Sequence, residues 1–347
     1  MRFTSKLCAA FATTGLALGL AAIPAHADAA VRITCSVPAL KSAIVAANAT
    51  GGTIFLSPGC VYRLTNTDND ANGLPVITGD VRIVGNLAAI ERVEGSPLFR
   101  IFEVGGSGRL SFSALALRNG DLDAVADGGA VLVDSGGALS VRASTISGNS
   151  ARNGGGIFTF GSTSVDASII RNNTATGFGG GIGVGAPSGS LSIDASSVTG
   201  NRANFSGGLG FDLGTTGSIR ATSITNNIAN INGGGVANDG TLTIRASRFS
   251  GNRAGGDGGG LANDRTVTVS DSVFNNNTAN RGGGVANFSA TGQATINSSL
   301  ISFNNAQTTA GGIFNSVGTT TLNNTLVIAN RPNNCLGSAP SVQGCVG

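Results

Sequence analysis

One phrase is written over and over in this chain. FSGNRAGGDGGGLAN runs from Phe249 to Asn263, and ISGNSARNGGGIF begins at Ile146. Aligning the copies gives an apolar residue, two variable positions, Asn, one variable position and Ala. A glycine pair, a further apolar residue, a turn and an apolar-Ser/Thr-apolar segment follow. The asparagine falls at Asn149, Asn173, Asn201, Asn227, Asn252, Asn277, Asn304 and Asn330. Seven intervals average about 26 residues, and a period between 20 and 50 residues specifies a solenoid or a propeller.

The strand pattern decides between them. TLTIRASRF, from Thr241 to Phe249, alternates so that Leu242 and Ile244 share a face, and TVTVSDSVF and QATINSSLI do the same. No copy carries a 3.6-residue period, which excludes a helical solenoid, and a propeller blade needs about 40 residues. About 26 residues fit one coil of a parallel β-helix with three short strands and three turns, stacked at about 4.8 Å. Glycine, 55 of 347 residues, is about twice its ordinary share, yet the regular apolar beat argues against disorder.

Each recurring residue then has a physical task. Val141, Val165, Ile193, Ile219, Ile244, Val269, Ile296 and Leu322 are expected to stack down the interior. Gly148, Asn172, Gly200, Asn226, Gly251 and Asn276 precede the first six recurring asparagines and belong to the two residue types that most readily take positive φ. The chain turns there. The asparagines themselves are expected to form a structural ladder, their amides pairing with backbone groups of neighbouring coils. The glycine runs lack the lysine of a phosphate-binding loop and serve tight turns. DNDANG, from Asp68, opens like a calcium loop but has Gly79 at the twelfth position, where the calcium loop needs glutamate, and is read as a plain loop.

The first 27 residues place Arg2 and Lys6 before an apolar run that ends at Ala25-His26-Ala27, the pattern of a secretory signal peptide cut after Ala27. Its removal takes away the sole histidine, and with Arg2 and Lys6 gone, 19 of the 21 basic side chains remain against 18 acidic ones. A near-neutral chain without basic clusters offers nucleic acid no footprint. Without histidine there is no Ser-His-Asp or Cys-His system and no histidine-ligated metal. No cofactor or metal site is expected, and no second apolar span follows the leader. Cys35, Cys60, Cys335 and Cys345 remain, an even number that suggests disulfides. Proximity favours Cys35 with Cys60 and Cys335 with Cys345, one bridge at each end.

An uncapped solenoid exposes unpaired edges. Pro38 near a helix start, Leu40, Ile44 and Ala47 on one face and Gly51 as a stop mark a cap helix. The expected organisation is a leader over 1–27, an N-terminal cap over 28–52, a β-helix over 53–334 that is most regular over 128–330, and a C-terminal cap over 335–347.

Gly128-Gly129-Ala130-Val131 and Phe274-Asn275-Asn276-Asn277 resemble the GGA[ILV] and FxxN motifs of the polymorphic membrane protein (Pmp) family. CSVPALKSAIVAAN, from Cys35, is similar to the CSLREA segment found before β-helices of secreted bacterial proteins, with Pro38 and Lys41 departing from its wording. The resemblance implies a right-handed, single-stranded parallel β-helix of pectin-lyase-like architecture, displayed outside the cell and used in adhesion.

Three functions follow as alternatives. The first is a secreted, monomeric, non-catalytic surface or glycan-binding protein that contacts extracellular polysaccharide or a cell-surface component. The second is a polysaccharide lyase or glycoside hydrolase, a reading from fold analogy; the third is a structural matrix protein. No catalytic residue stands out. The one constellation with chemical potential is Asp166 beside Asp194 on adjacent coils, with Arg142 and Arg220 on their outer sides, and it is read first as a charge ladder in which each aspartate meets an arginine. From the inner apolar column to the ladder asparagine every coil spends eight residues, whereas the opposite stretch lengthens from eight to eleven at GVGAPSGS (183–190) and ANFSATGQ (286–293). Insertions of this kind map to one face, so contacts are expected there. Sugar-stacking platforms are scarce, because tryptophan is absent and Tyr62 is the single tyrosine.

Overall fold

The computed structural model describes residues 30–346, and the leader with its cleavage position lies outside them. The chain is a parallel β-helix whose coils pair strand on strand into sheets of 21, nine and seven strands. In the regular part each coil has four short strands rather than the expected three. The coil that starts at Ser162 shows this with Ser162–Asp166, Ile169–Arg171, Thr174–Ala175 and Ile182–Val184. The first two lie in the same 21-stranded sheet, bent at Ala167, whose φ is 47°. Ala143, Ala195, Ala221 and Ala246 occupy the same bend with positive φ. Alanine gains nothing intrinsically from that conformation, so tertiary bonding must hold it. A buried Ser or Thr follows each bend. The Ser168 hydroxyl donates to the Asp166 carbonyl at 2.7 Å and accepts the Ser144 backbone N–H at 3.0 Å, and Ser196, Thr222, Ser247 and Ser272 continue the column.

The second turn is the expected one. Gly148, Asn172, Gly200, Asn226, Gly251 and Asn276 all have positive φ, and Phe303 and Ala329 adopt it in the last two coils. Behind them the recurring asparagines are buried. Each side-chain amide donates to the Oδ1 of the next, from Asn149 to Asn173 at 2.9 Å through to Asn304 and Asn330 at 3.0 Å. A second column, Asn238, Asn263, Asn287 and Asn315, runs through the third turn in the same way, at 2.8–2.9 Å.

The inner column behaves as predicted from Val141 to Ile296, all at most 1 % exposed, while Leu322 is half-buried because the wide sheet gains only short cover beyond it. Phe249 and Phe274 stack inside, ring centroids 4.3 Å apart. Glycines mark where backbones approach too closely for a side chain: a Cβ on Gly180 would lie 2.3 Å from the Gly207 carbonyl oxygen. At the N-terminal end a helix, Val37–Thr50, is capped by Ser36, ends at Gly51 with φ 71°, and buries Leu40, Ala43, Ile44 and Ala47. Cys35 bonds Cys60 and Cys335 bonds Cys345, with Cα separations of 5.7 and 6.2 Å. Among the described residues no helix is long and apolar enough to cross a membrane.

Candidate functional site

Asp166 and Asp194 do pair in register on the outer face of the wide sheet, and Arg142 and Arg220 are their outer neighbours. Each aspartate is already answered. Arg142 lies 3.5 Å from Asp166, and Arg220 pairs with Asp194. Both arginines are well exposed, so the arrangement has the geometry of a charge ladder on open surface.

A more enclosed feature lies on the nine-stranded sheet. Its three-residue strands set their first and third residues into the core and the middle one on the outer side, where most middle residues are still covered. Paired in register, these middle residues are Glu103, Leu132, Phe158, Gly183, Gly210, Ala237, Ala262, Ala286 and Phe314. The five small residues between the two large ones make room that rings partly fill, Phe158 over Gly183 and Phe178 over Gly210, and leave Ala237 half-buried at the centre. Part of that room is a groove of about 420 Å³ whose lining includes Phe158, Phe178, Phe205, Asp239, Asp264 and Phe288.

The wall after the strands is acidic. Asp212, Asp239 and Asp264 stand on three successive coils, their backbone N–H groups donating to Val184, Phe211 and Asn238 one coil back. That register spaces them by about 4.8 Å. Burial raises the Asp239 carboxyl from 3.8 to about 6, helped by the charges of Asp264 and Asp212 and by its hydrogen bond to Asp264, while Arg265 opposes the shift. Burial also raises Asp264, against the pull of the Asp239 hydrogen bond and of Arg265. No ion pair within 4.0 Å among the described residues includes these three aspartates. The contrast is with Glu103 further up the same face, where the buried Arg100 guanidinium donates to it at 2.8 Å and to Asn72 Oδ1 at 2.9 Å.

The opposite wall is aromatic. Phe178 and Phe205 pair as a parallel bridge on adjacent coils. The Phe178 ring leans over Gly210, where a Cβ would sit 2.5 Å from it, and the same point is 2.8 Å from the Ser206 hydroxyl. Ser206 is fully buried with φ 58°, and its hydroxyl has no hydrogen-bond partner. At the far end Arg281 holds Asp257 by two bonds of 2.8 and 2.6 Å and lies over the Phe314 ring.

Sequence reasoning missed the aspartates and phenylalanines, although a signal existed: Asp212, Asp239 and Asp264 each stand three residues after Leu209, Val236 and Leu261. It did single out the two segments that flank the acidic wall. Segment 183–190 includes the turn one coil before Asp212, and segment 286–293 includes Phe288, which follows Asp264 in the same column.

Three acidic groups beside partly exposed phenyl rings repel polyanions, and they favour neutral or cationic groups carried on apolar stems. No protein-family model and no curated protein matches the sequence, so the likeness to Pmp repeats and to the CSLREA segment stands on the quoted motifs. Among solved structures the chain is similar to PfbA, a surface adhesin of Streptococcus pneumoniae, with a TM-score of 0.33 and 12% sequence identity over 83% of this chain and 86% of that chain.

Proposed function

We propose that this is a secreted, non-catalytic binding protein of the adhesion type, and that its contact site is the groove on the nine-stranded sheet. The carrying observation is the juxtaposition of three aspartates free of ion pairs with Phe178 and Phe205 in one groove floored by Ala237. Solvent-facing aromatic and carboxylate groups held by rigid strands are the means by which a scaffold recognises a ligand. The leader and the two disulfides support an extracellular setting. The Pmp-like motifs imply the same role.

Catalysis fits the groove poorly. Its lining holds carboxylates, amides and phenyl rings but no lysine, arginine or histidine to serve as a lyase base. An acidic polysaccharide, the substrate of most lyases, would meet like charge here.

The test is to fill the floor. Ala237→Gln places a neutral side chain in the groove, and Thr243→Gln makes the same chemical change on the outer face of the wide sheet. Binding of labelled mature protein to a glycan array and to fixed bacterial and host cells should fall with the first and persist with the second. Equal binding by both variants at wild-type level would remove the groove from the proposal.

A further inference from the structure

We infer that the groove takes an alkylammonium ligand, a primary ammonium on a methylene stem, its nitrogen on the Asp212–Asp239–Asp264 wall and its stem against Phe178 and Phe205. The inference rests on the groove being the contact site and adds the chemical class of what enters it.

Charge complementarity selects the cation. Three carboxylates on successive coils lie on one side, and the charged groups facing Asp239 are Asp264, Asp212 and Arg265 alone. One arginine does not balance three aspartates. Geometry selects the stem. The other wall is mainly phenyl ring, with Asn153 and Asn232 at its margin, and Ala237 lies at the floor, so a chain of methylenes packs there on apolar surface. A ring face near an ammonium adds cation–π attraction. Ammonium groups separated by a few methylenes can meet carboxylates on neighbouring coils in turn.

A second, independent observation points into the same groove. The fully buried Ser206 hydroxyl lines it and lacks any partner, at a point where the Phe178 ring edge covers Gly210. Native proteins rarely leave such a group unpaired. A ligand N–H that displaces the Phe178 edge would satisfy it. Calcium is a poor alternative, since it asks for six to eight oxygens around the ion and the wall facing the aspartates is aromatic.

Free polyamines and lysine side chains share this chemistry. Isothermal titration of the mature chain at pH 7.5 with spermidine, with the peptide acetyl-Lys-Gly-Lys-amide, with 1,6-hexanediol and with calcium chloride separates the cases. Saturable binding of spermidine, of the peptide or of both is expected, and the better binder names the source; hexanediol and calcium should give none. Asp239→Asn with Asp264→Asn should weaken binding at least tenfold without lowering the melting temperature. Should that pair fail to fold, the exposed Asp212→Asn gives a smaller loss in the same direction. Asp166→Asn with Asp194→Asn, in the ion-paired ladder, should change nothing. At pH 5, about one unit below the Asp239 value, its carboxylate is about one-tenth ionised and affinity should fall by about tenfold.

Equal spermidine affinity in the wild type and the groove variants, or hexanediol binding as tightly as spermidine, overturns the inference. Loss of cell binding in Ala237→Gln with no ammonium binding in the wild type would retire the ligand class and leave the groove. The reverse pair of results would retire adhesion through the groove and leave the ammonium site.

Discussion

Replacing Asn227 with alanine tests whether the buried amide column holds the coils together. Asn227 Oδ1 accepts the Asn201 backbone N–H and the Asn201 Nδ2, both at 3.0 Å. Its own Nδ2 donates to the Val198 carbonyl and to Asn252 Oδ1, again at 3.0 Å. Four side-chain bonds disappear with the amide, and the Asn201 N–H loses its acceptor inside the protein. At about 1 kcal/mol net per bond, with a further penalty for the orphaned donor, the loss should be about 3–6 kcal/mol. Asn226→Gly is the control: Asn226 is the exposed turn residue beside it, with φ 54°, and glycine takes that conformation without strain, so the change should stay within about 1 kcal/mol. Urea titration followed by circular dichroism reads both, and hydrogen exchange should localise the damage, because each coil touches only its neighbours. A loss below about 1 kcal/mol for Asn227→Ala at unchanged m-value would refute the reasoning.

The Asp239 carboxyl carries a folded value of about 6 against 3.8 ordinarily, so between these values the folded protein holds a proton that the unfolded chain releases. Its contribution is full below about pH 4 and lost as pH rises through about 6, worth about 1–2 kcal/mol after allowing for solvent screening. Asp239→Asn should remove that slope from a plot of melting temperature against pH, and an unchanged slope would show that the carboxyl is solvated. Reducing both disulfides should fray the ends before the middle, costing on the order of 2–4 kcal/mol per bridge; thiol titration of the denatured, unreduced mature chain should find no free cysteine. Ile244→Asp should unfold the central coils, since Ile244 is fully buried in the inner column and an unpaired charge there has no partner. Asp194→Asn should alter stability by no more than about 1 kcal/mol and leave ligand binding intact; loss of binding would return the wide sheet to consideration.

The scaffold was legible in the sequence because its constraints recur in register. Ile244 and Leu242 alternate with polar neighbours, and Asn227 follows a residue suited to positive φ, so core and turn could be read together. The bend at Ala167 was not legible. Alanine carries no signal for a left-handed backbone, and the Ser168 column that stabilises the bend is defined only once coils are stacked. The groove was hidden for a related reason. A strand of three residues is too short to show alternation, and Asn238-Asp239-Gly240 has the composition of a turn. Phe178 and Phe205 sit in the segments before the glycines, outside the apolar columns, so their opposition to Asp212 and Asp239 depends on how the coil closes.

The two amide columns both point one way. Every Nδ2 from Asn149 onward gives one hydrogen to the following asparagine's Oδ1 and the other to a carbonyl one coil back, and the second column also passes amide hydrogens forward from Asn238. Each is brought to a stop by the C-terminal segment, Asn334 donating to the Val346 carbonyl and Asn315 to the Pro340 carbonyl. The solenoid is thus a polar stack with one vulnerable end: the other lies under the cap helix, and Asn149 Oδ1 already accepts the Gly120 N–H, so a copy lacking residues 335–347 would bare only the last donors. An uncovered end of this kind is a ready template for stray pairing. The Cys335–Cys345 staple is in this sense a latch: it ties down the segment whose carbonyls close both columns.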